Sequence, residues 1–138
     1  MAHAIVKWLE GKRFVGIDST DHGIVISGTQ EDGRIGAKPS DLLLLALGSC
    51  TAYDVVGILQ KKRQRLTALE VHVSGEQEQE PPWTFRSFHV HYVVKGRGLS
   101  ERAVQDAITL SDEKYCSVSA TLKLGVPVTH SYEIVEEE

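Results

Sequence analysis

Residues 39–63, PSDLLLLALGSCTAYDVVGILQKKR, decide how the rest of the chain must be arranged. Pro39 fits the first turn of a helix, where its missing N–H costs nothing, and the pattern predicts a helix running to about Arg63. The first half, LLLLALGSCTAY, is apolar all round rather than along one stripe, which is the pattern of a helix buried on every side. This helix is expected to form the core of the molecule. One small sheet cannot cover a helix as apolar as Asp41 to Leu59, so a second copy of the chain is expected to complete its burial.

Upstream, IVKWL, RFVGI and GIVIS are β-branched and aromatic segments separated by Glu10-Gly11 and by Asp21-His22-Gly23, which predicts an antiparallel meander of three short strands between His3 and Ser27. A polar stretch, Thr29 to Ala37, leads from it to Pro39. Downstream, Leu66–Gln77 and Thr84–Lys95 alternate apolar and polar residues, predicting a long hairpin closed at EQEPPW, with one wet face. Ser100 caps a second, amphipathic helix carrying Ala103, Val104, Ala107, Ile108 and Leu110. SDEKYCSVSATLKLG reads as a short helix stopped by Gly125, and Val126–Val135 as a last strand. The order is βββ, α, ββ, αα, β, an α+β class, with no repeat or linker to divide residues 1–138 into further domains.

The 138 residues hold one core but little room for a deep site, so a site completed by a second subunit is expected. Hydrophobic residues at 41% and charged residues at 25% describe a folded chain rather than a disordered one. A formal net charge of −4 leaves no broad basic field for a phosphate backbone, and nucleic acid is not expected as a partner. The N-terminus lacks the apolar stretch of a signal peptide, and no uninterrupted apolar run approaches the roughly 18 residues of a membrane span; a cytoplasmic address is expected.

In such a reducing compartment two distant cysteines are either apolar filler or working thiols. Cys50 follows Gly48 and Ser49, whose small side chains let another element approach the sulfur; free cysteine is also among the most buried residue types, so on position alone core filler is the favoured reading. Cys116 follows Ser111, Asp112 and Glu113, which look like a helix start, so its thiol is expected in the first turns, where the macrodipole favours a thiolate. Without a C-x-x-C or further soft ligands the pair does not make a zinc site. Asp54, at i+4 from Cys50, shares its helix face and must either meet a cation such as Arg13 or Lys114 or point elsewhere. Glu113 and Lys114 are candidate site groups beside Cys116, though acidic residues in a first turn commonly serve the dipole alone. His72, His89 and His91 fall on neighbouring strands and read as a solvated sheet face rather than a metal site. The run Lys61–Arg65 reads as cations at a helix C-terminus, and Trp8 and Trp83 as packing or interface residues.

KPSDLLLLALGSCTAYDVVGILQKK followed by SDEKYCSVSATL resembles the OsmC/Ohr family, in particular its YhfA-like branch, and the likeness runs from VKWLEG to THSYEIV. In that family the first cysteine, eleven residues after the helix-start proline, is the peroxidatic thiol, and Pro39 and Cys50 keep that spacing. The resemblance implies an OsmC-like fold: antiparallel sheets wrapped around long central helices in an intertwined homodimer. It implies that Cys50 attacks the O–O bond of an organic hydroperoxide, lipid ones included, and that Cys116 resolves the resulting sulfenic acid as a disulfide. No metal or organic cofactor is implied; an external dithiol such as a lipoyl protein would reduce the disulfide. Leu43, Leu47, Tyr53, Asp54 and Tyr115 are the candidate pocket residues, and core packing explains the apolar ones as well. The best-studied branch activates its thiol with an arginine from the N-terminal strands, held by a glutamate directly after the proline. Arg13 is the positional candidate for the arginine; Ser40 stands where the glutamate would be, with Asp41 one position further along. The competing reading is a dimeric small-molecule-binding or redox-sensing protein with little turnover. It draws on the missing glutamate, whereas the retained cysteine pair favours the enzyme.

Overall fold

The structure, a computed structural model, describes residues 1–28 and 35–138. The part of the polar connector from Thr29 to Arg34 lies outside the described residues. The chain forms two compact units, Met1–Leu43 and Leu44–Glu138.

In the first unit, β1 (Ile5–Glu10), β2 (Arg13–Ile17) and β3 (Gly23–Ser27) form the expected antiparallel meander, in the order β1-β2-β3. Gly11 turns the β1–β2 corner at φ 52, a left-handed backbone that glycine adopts without steric cost. The β2–β3 corner is closed by Asp18, whose carboxylate accepts from the backbone N–H groups of Thr20 and His22, each at 2.9 Å. All of β1 is exposed, Val6, Trp8 and Leu9 included.

α1 spans Asp41–Lys61, so Pro39 and Ser40 form the turn ahead of the helix rather than its first residues. Leu47, Gly48, Thr51, Val55 and Leu59 are buried at close to i, i+4 spacing. Leu45 and Tyr53 are exposed, so within one chain α1 is buried along a stripe and not, as its composition predicts, on every side. By length and composition α1 is also apolar enough to cross a membrane, contrary to the reading of its interrupted apolar run. The buried stripe shows where part of that apolarity goes: Leu47, Val55 and Leu59 share one core with Phe88, Val90, Tyr92 and Val94.

Those strand residues belong to the second unit's sheet, made of β4 (Arg65–Gln77), β5 (Phe85–Arg97) and β6 (Val128–Glu136) in that order. β4 and β5 are the predicted antiparallel hairpin, and the alternate residues of β5 from Phe88 to Val94 face the core. α2 (Glu101–Leu110) lays Val104, Ala107 and Ile108 into the same core, with the Ser100 side chain accepting from Ala103 N–H at its start. α1 reaches the sheet so closely that a β-carbon at Gly48 would lie 2.9 Å from a methyl of Val73.

Two local expectations fail after α2. Ser111–Tyr115 is a π-helical segment, and α3 (Ser117–Leu122) begins only after Cys116. β6 then pairs with β5 in parallel, not antiparallel as expected, with Phe88 opposite Val128 and Gly96 opposite Glu136. The connection that carries α2, the π segment and α3 brings the chain back to the starting end of β5, and a crossover of that length is what parallel pairing requires. On the outer face of the sheet His89 bonds the hydroxyls of Thr129 and Ser131 at 2.7 and 2.8 Å, and His91 bonds Ser131 at 2.7 Å. These histidines tie β6 to β5. Among the described residues no group of three or more His, Cys, Asp or Glu is placed to hold a metal ion.

Candidate functional site

Both cysteines lie in the second unit, and the fold brings them into contact. Cys50 is half-buried in the middle of α1, while Cys116, buried at 2% exposure, caps the N-terminus of α3 and accepts from Ser119 N–H at 3.3 Å. Neither is in a disulfide. The π segment positions Cys116: its N–H donates to Ser111 C=O at 2.8 Å, an i to i−5 bond that widens the turn and stops α2.

The expected dipole-stabilised thiolate at Cys116 is not what the surroundings favour. Burial first, and then the neighbouring Cys50 side chain, push the Cys116 thiol up to about 11; the Ser119 N–H opposes this only in part. These surroundings favour the protonated form of Cys116. Beneath it Tyr92, 1% exposed, has its hydroxyl pushed up to about 12 by burial, with the hydrogen bond to Thr51 opposing. Both shifts raise the folded-state value above the unfolded one, from 9.0 for the thiol and 10.0 for the phenol. Folding therefore favours the neutral forms. Their stabilising effect is complete below about pH 9 and is lost as pH rises through 11 and 12, each contributing on the order of 2 kcal/mol. With the thiols kept reduced, the urea midpoint should be flat on approach to pH 9 and fall between pH 9 and 12; Tyr92→Phe and Cys116→Ala should each flatten part of that fall. An equal fall in both variants would show that neither group is its source.

Asp54 is not in ion-pair contact with Lys114; its carboxylate accepts from the hydroxyl of fully buried Ser111 at 2.8 Å. This bond holds the α1 face that carries Cys50 against the π segment that carries Cys116. Asp112, next in the chain, accepts from Ser119 Oγ at 2.8 Å and pairs with Lys123, anchoring α3 at both ends. Thr51, Tyr92, Ser111, Asp112 and Ser119 are site-supporting residues that sequence reading missed. Serines and threonines in helices and a tyrosine in an alternating strand carry no sign of which ones meet in space.

Beside the cysteines an open cleft of about 800 Å³ is lined by Ser49, Tyr53, Asp54, Gly57 and Tyr115, among others. Tyr53, Asp54 and Tyr115, three of the expected pocket residues, line this cleft; Cys50 and Cys116 do not. Nor does Leu47, because it is fully buried in the core with the sheet residues. Glu113 is exposed, and Lys114 sits over the Tyr115 ring at 5.3 Å from its centroid. Arg13, Asp41 and Leu43 belong to the first unit. Arg13 opens β2 and pairs with Glu10 at 3.4 Å, and Asp41 is exposed in the first turn of α1.

The family model described as OsmC-like protein matches residues 29–131. Protein YhfA of Escherichia coli strain K12 is 43% identical over 132 residues, covering 96% of this chain and 97% of its own. An OsmC-like protein from Mycoplasma pneumoniae shares the fold at a TM-score of 0.83 and 16% identity, over 98% of this chain and 97% of its own. The organic hydroperoxide resistance protein OhrB of Bacillus subtilis shares it at 0.64 and 16% identity, over 96% of this chain and 98% of its own. With most of its length matched by the family model and a relative at this identity along nearly all of it, the chain belongs to the OsmC-like protein family.

Proposed function

We infer that this chain is a thiol-dependent peroxidase for organic hydroperoxides, lipid hydroperoxides among them, working in the cytoplasm without a metal or organic cofactor. The observation that carries this reading is the proximity of a half-buried Cys50 to a buried Cys116, whose thiol burial and the Cys50 side chain push up, near an open cleft. Membership of a family whose fold is shared by a hydroperoxide resistance protein supports it. In the first step the Cys50 thiolate attacks the terminal oxygen of ROOH and the O–O bond breaks. Cys50 becomes a sulfenic acid, and the departing alkoxide takes one proton and leaves as ROH. In the second, the Cys116 sulfur attacks the sulfenic sulfur; its proton and the departing hydroxide leave as water, and the two sulfurs are joined. An external dithiol, such as a lipoyl group, supplies the two electrons and two protons that restore both thiols. Tyr53 and Tyr115 give the cleft an apolar wall suited to an alkyl or acyl chain.

The test is thiol titration and peptide mapping before and after one equivalent of cumene hydroperoxide. Loss of both thiols to a Cys50–Cys116 disulfide is the expected result; two thiols surviving excess peroxide would exclude the reaction. One observation favours the binding or redox-sensing alternative: Arg13, the candidate activating cation, is paired with Glu10. Under that alternative the cleft holds a small apolar ligand and peroxide leaves the thiols intact.

The working form is a homodimer. Val6, Trp8 and Leu9 on β1 and Leu45 and Tyr53 on α1 are large apolar side chains left in contact with water, a pattern that calls for a second copy. Sedimentation equilibrium should return twice the chain mass, and a monomer at micromolar concentration would count against a site completed across subunits.

A further inference from the structure

The basic run Lys61–Arg65 divides once folded. Lys61 ends α1, and Lys62 pairs with Asp106 at 3.7 Å. The last carbonyls of α1 are already satisfied by backbone: Lys62 N–H donates to Ile58 at 2.9 Å, Arg63 N–H to Gln60 at 3.0 Å and Gln64 N–H to Leu59 at 3.0 Å. The remaining arginines are therefore not needed to cap the helix. Arg63 sits at φ 57, the left-handed position after a helix end that glycine or asparagine ordinarily occupies. Arg65 opens β4 directly opposite Arg97 at the end of β5, and like charges facing each other across an antiparallel pair repel.

These three arginines, with Gln64 and Gly98, line an open pocket of about 360 Å³. Among the described residues none of the three comes within ion-pair distance of a carboxylate, whereas Lys62, Arg86, Arg102 and Lys123 each have one. Two acidic residues are fixed at this corner: the Glu136 carboxylate accepts from Gly98 N–H at 2.9 and 3.1 Å, and Glu137 N–H donates to Gly96 C=O at 2.8 Å. Gln64 is held in place, its side-chain carbonyl accepting from Ser100 N–H at 2.8 Å. Three arginines thus line one concavity of a chain whose net charge is −4.

We propose that the pocket formed by Arg63, Arg65 and Arg97 is a binding site for a small phosphate-bearing anion. The planar fork of arginine matches phosphate oxygens two at a time, and a dianion between Arg65 and Arg97 turns their repulsion into shared attraction. The pocket volume lies near the lower end of the roughly 300–1,000 Å³ of small-molecule sites, which suits a phosphomonoester, and the acidic chain as a whole disfavours an extended polyanion. The end of α1 is eleven residues past Cys50, about 16 Å along the helix axis, so this site is separate from the thiol pair.

The test titrates the full-length protein with inorganic phosphate, and separately with glycerol 3-phosphate, at ionic strength held constant with chloride, following the thermal midpoint and the heat of binding. A saturable rise in the midpoint is expected, and the tighter of the two ligands identifies the source as free phosphate or a phosphomonoester. Arg65→Gln and Arg97→Gln should weaken binding at least about tenfold while leaving the ligand-free midpoint unchanged or higher, because each removes one half of a repelling pair. Lys62→Gln, which breaks an ion pair outside the pocket, should keep the full phosphate response. No saturable response to either ligand would overturn the proposal, as would arginine variants that respond like the wild type.

Discussion

Cys50→Ser is expected to lose cumene hydroperoxide turnover by at least about a thousandfold, while Cys116→Ser consumes one equivalent of peroxide and stops. The asymmetry follows from the two sulfur environments. A serine hydroxyl at position 50 offers no thiolate to attack the O–O bond, and Cys116 cannot substitute for it. With its thiol pushed up to about 11, only about one Cys116 in ten thousand is a thiolate at pH 7, and the group is buried at 2% exposure. In Cys116→Ser the first step is intact but the sulfenic acid at Cys50 has no resolving sulfur, so a dimedone adduct should appear at Cys50 and at no other position. Turnover by Cys50→Ser at the wild-type rate would remove Cys50 from the mechanism. Continuous turnover by Cys116→Ser without added thiol would remove Cys116.

Gly96→Ala is expected to destabilise the fold by about 3 kcal/mol or more, as measured by urea unfolding. A β-carbon at this position would lie 2.3 Å from the backbone carbonyl oxygen of Arg65 and 2.9 Å from both methyls of Leu99. Leu99 can change rotamer. The Arg65 carbonyl cannot withdraw without opening the β4–β5 pairing at Leu66 and Gly96, which holds the two longest strands together at that end. The same movement would reposition Arg65 against Arg97, so the substitution should also distort the basic pocket. A loss below about 1 kcal/mol would mean that the strand end yields more easily than this contact allows.

Much of the architecture was legible along the chain, and the elements show why. The three N-terminal strands, the long hairpin and the Ser100 cap each announce themselves within a few residues, through period-two alternation or a side chain that bonds its own helix start. The spacing of Pro39 and Cys50 and the context of Cys116 carried the family. The direction of β6 was not legible, because its side-chain alternation is the same in a parallel and an antiparallel pair and only the path of the crossover decides between them. Nor was the side of α1 on which Leu47 falls, since an almost uniformly apolar helix has no stripe to indicate which face meets the sheet.

The chemistry of the site divides along the same line. Composition and motif singled out the two cysteines as the reactive groups to consider and α1 as the chain's long apolar helix. Tertiary structure alone decided that Cys116 ends a π-helical turn instead of riding inside a helix, that burial and the neighbouring Cys50 push its thiol up, and that Asp54 accepts from Ser111. Secondary-structure propensity and capping are set by groups a few residues apart, so they can be read in order along the chain. Desolvation, hydrogen-bond partners and strand direction depend on which distant segments pack together, and those are determined only when the whole chain has folded.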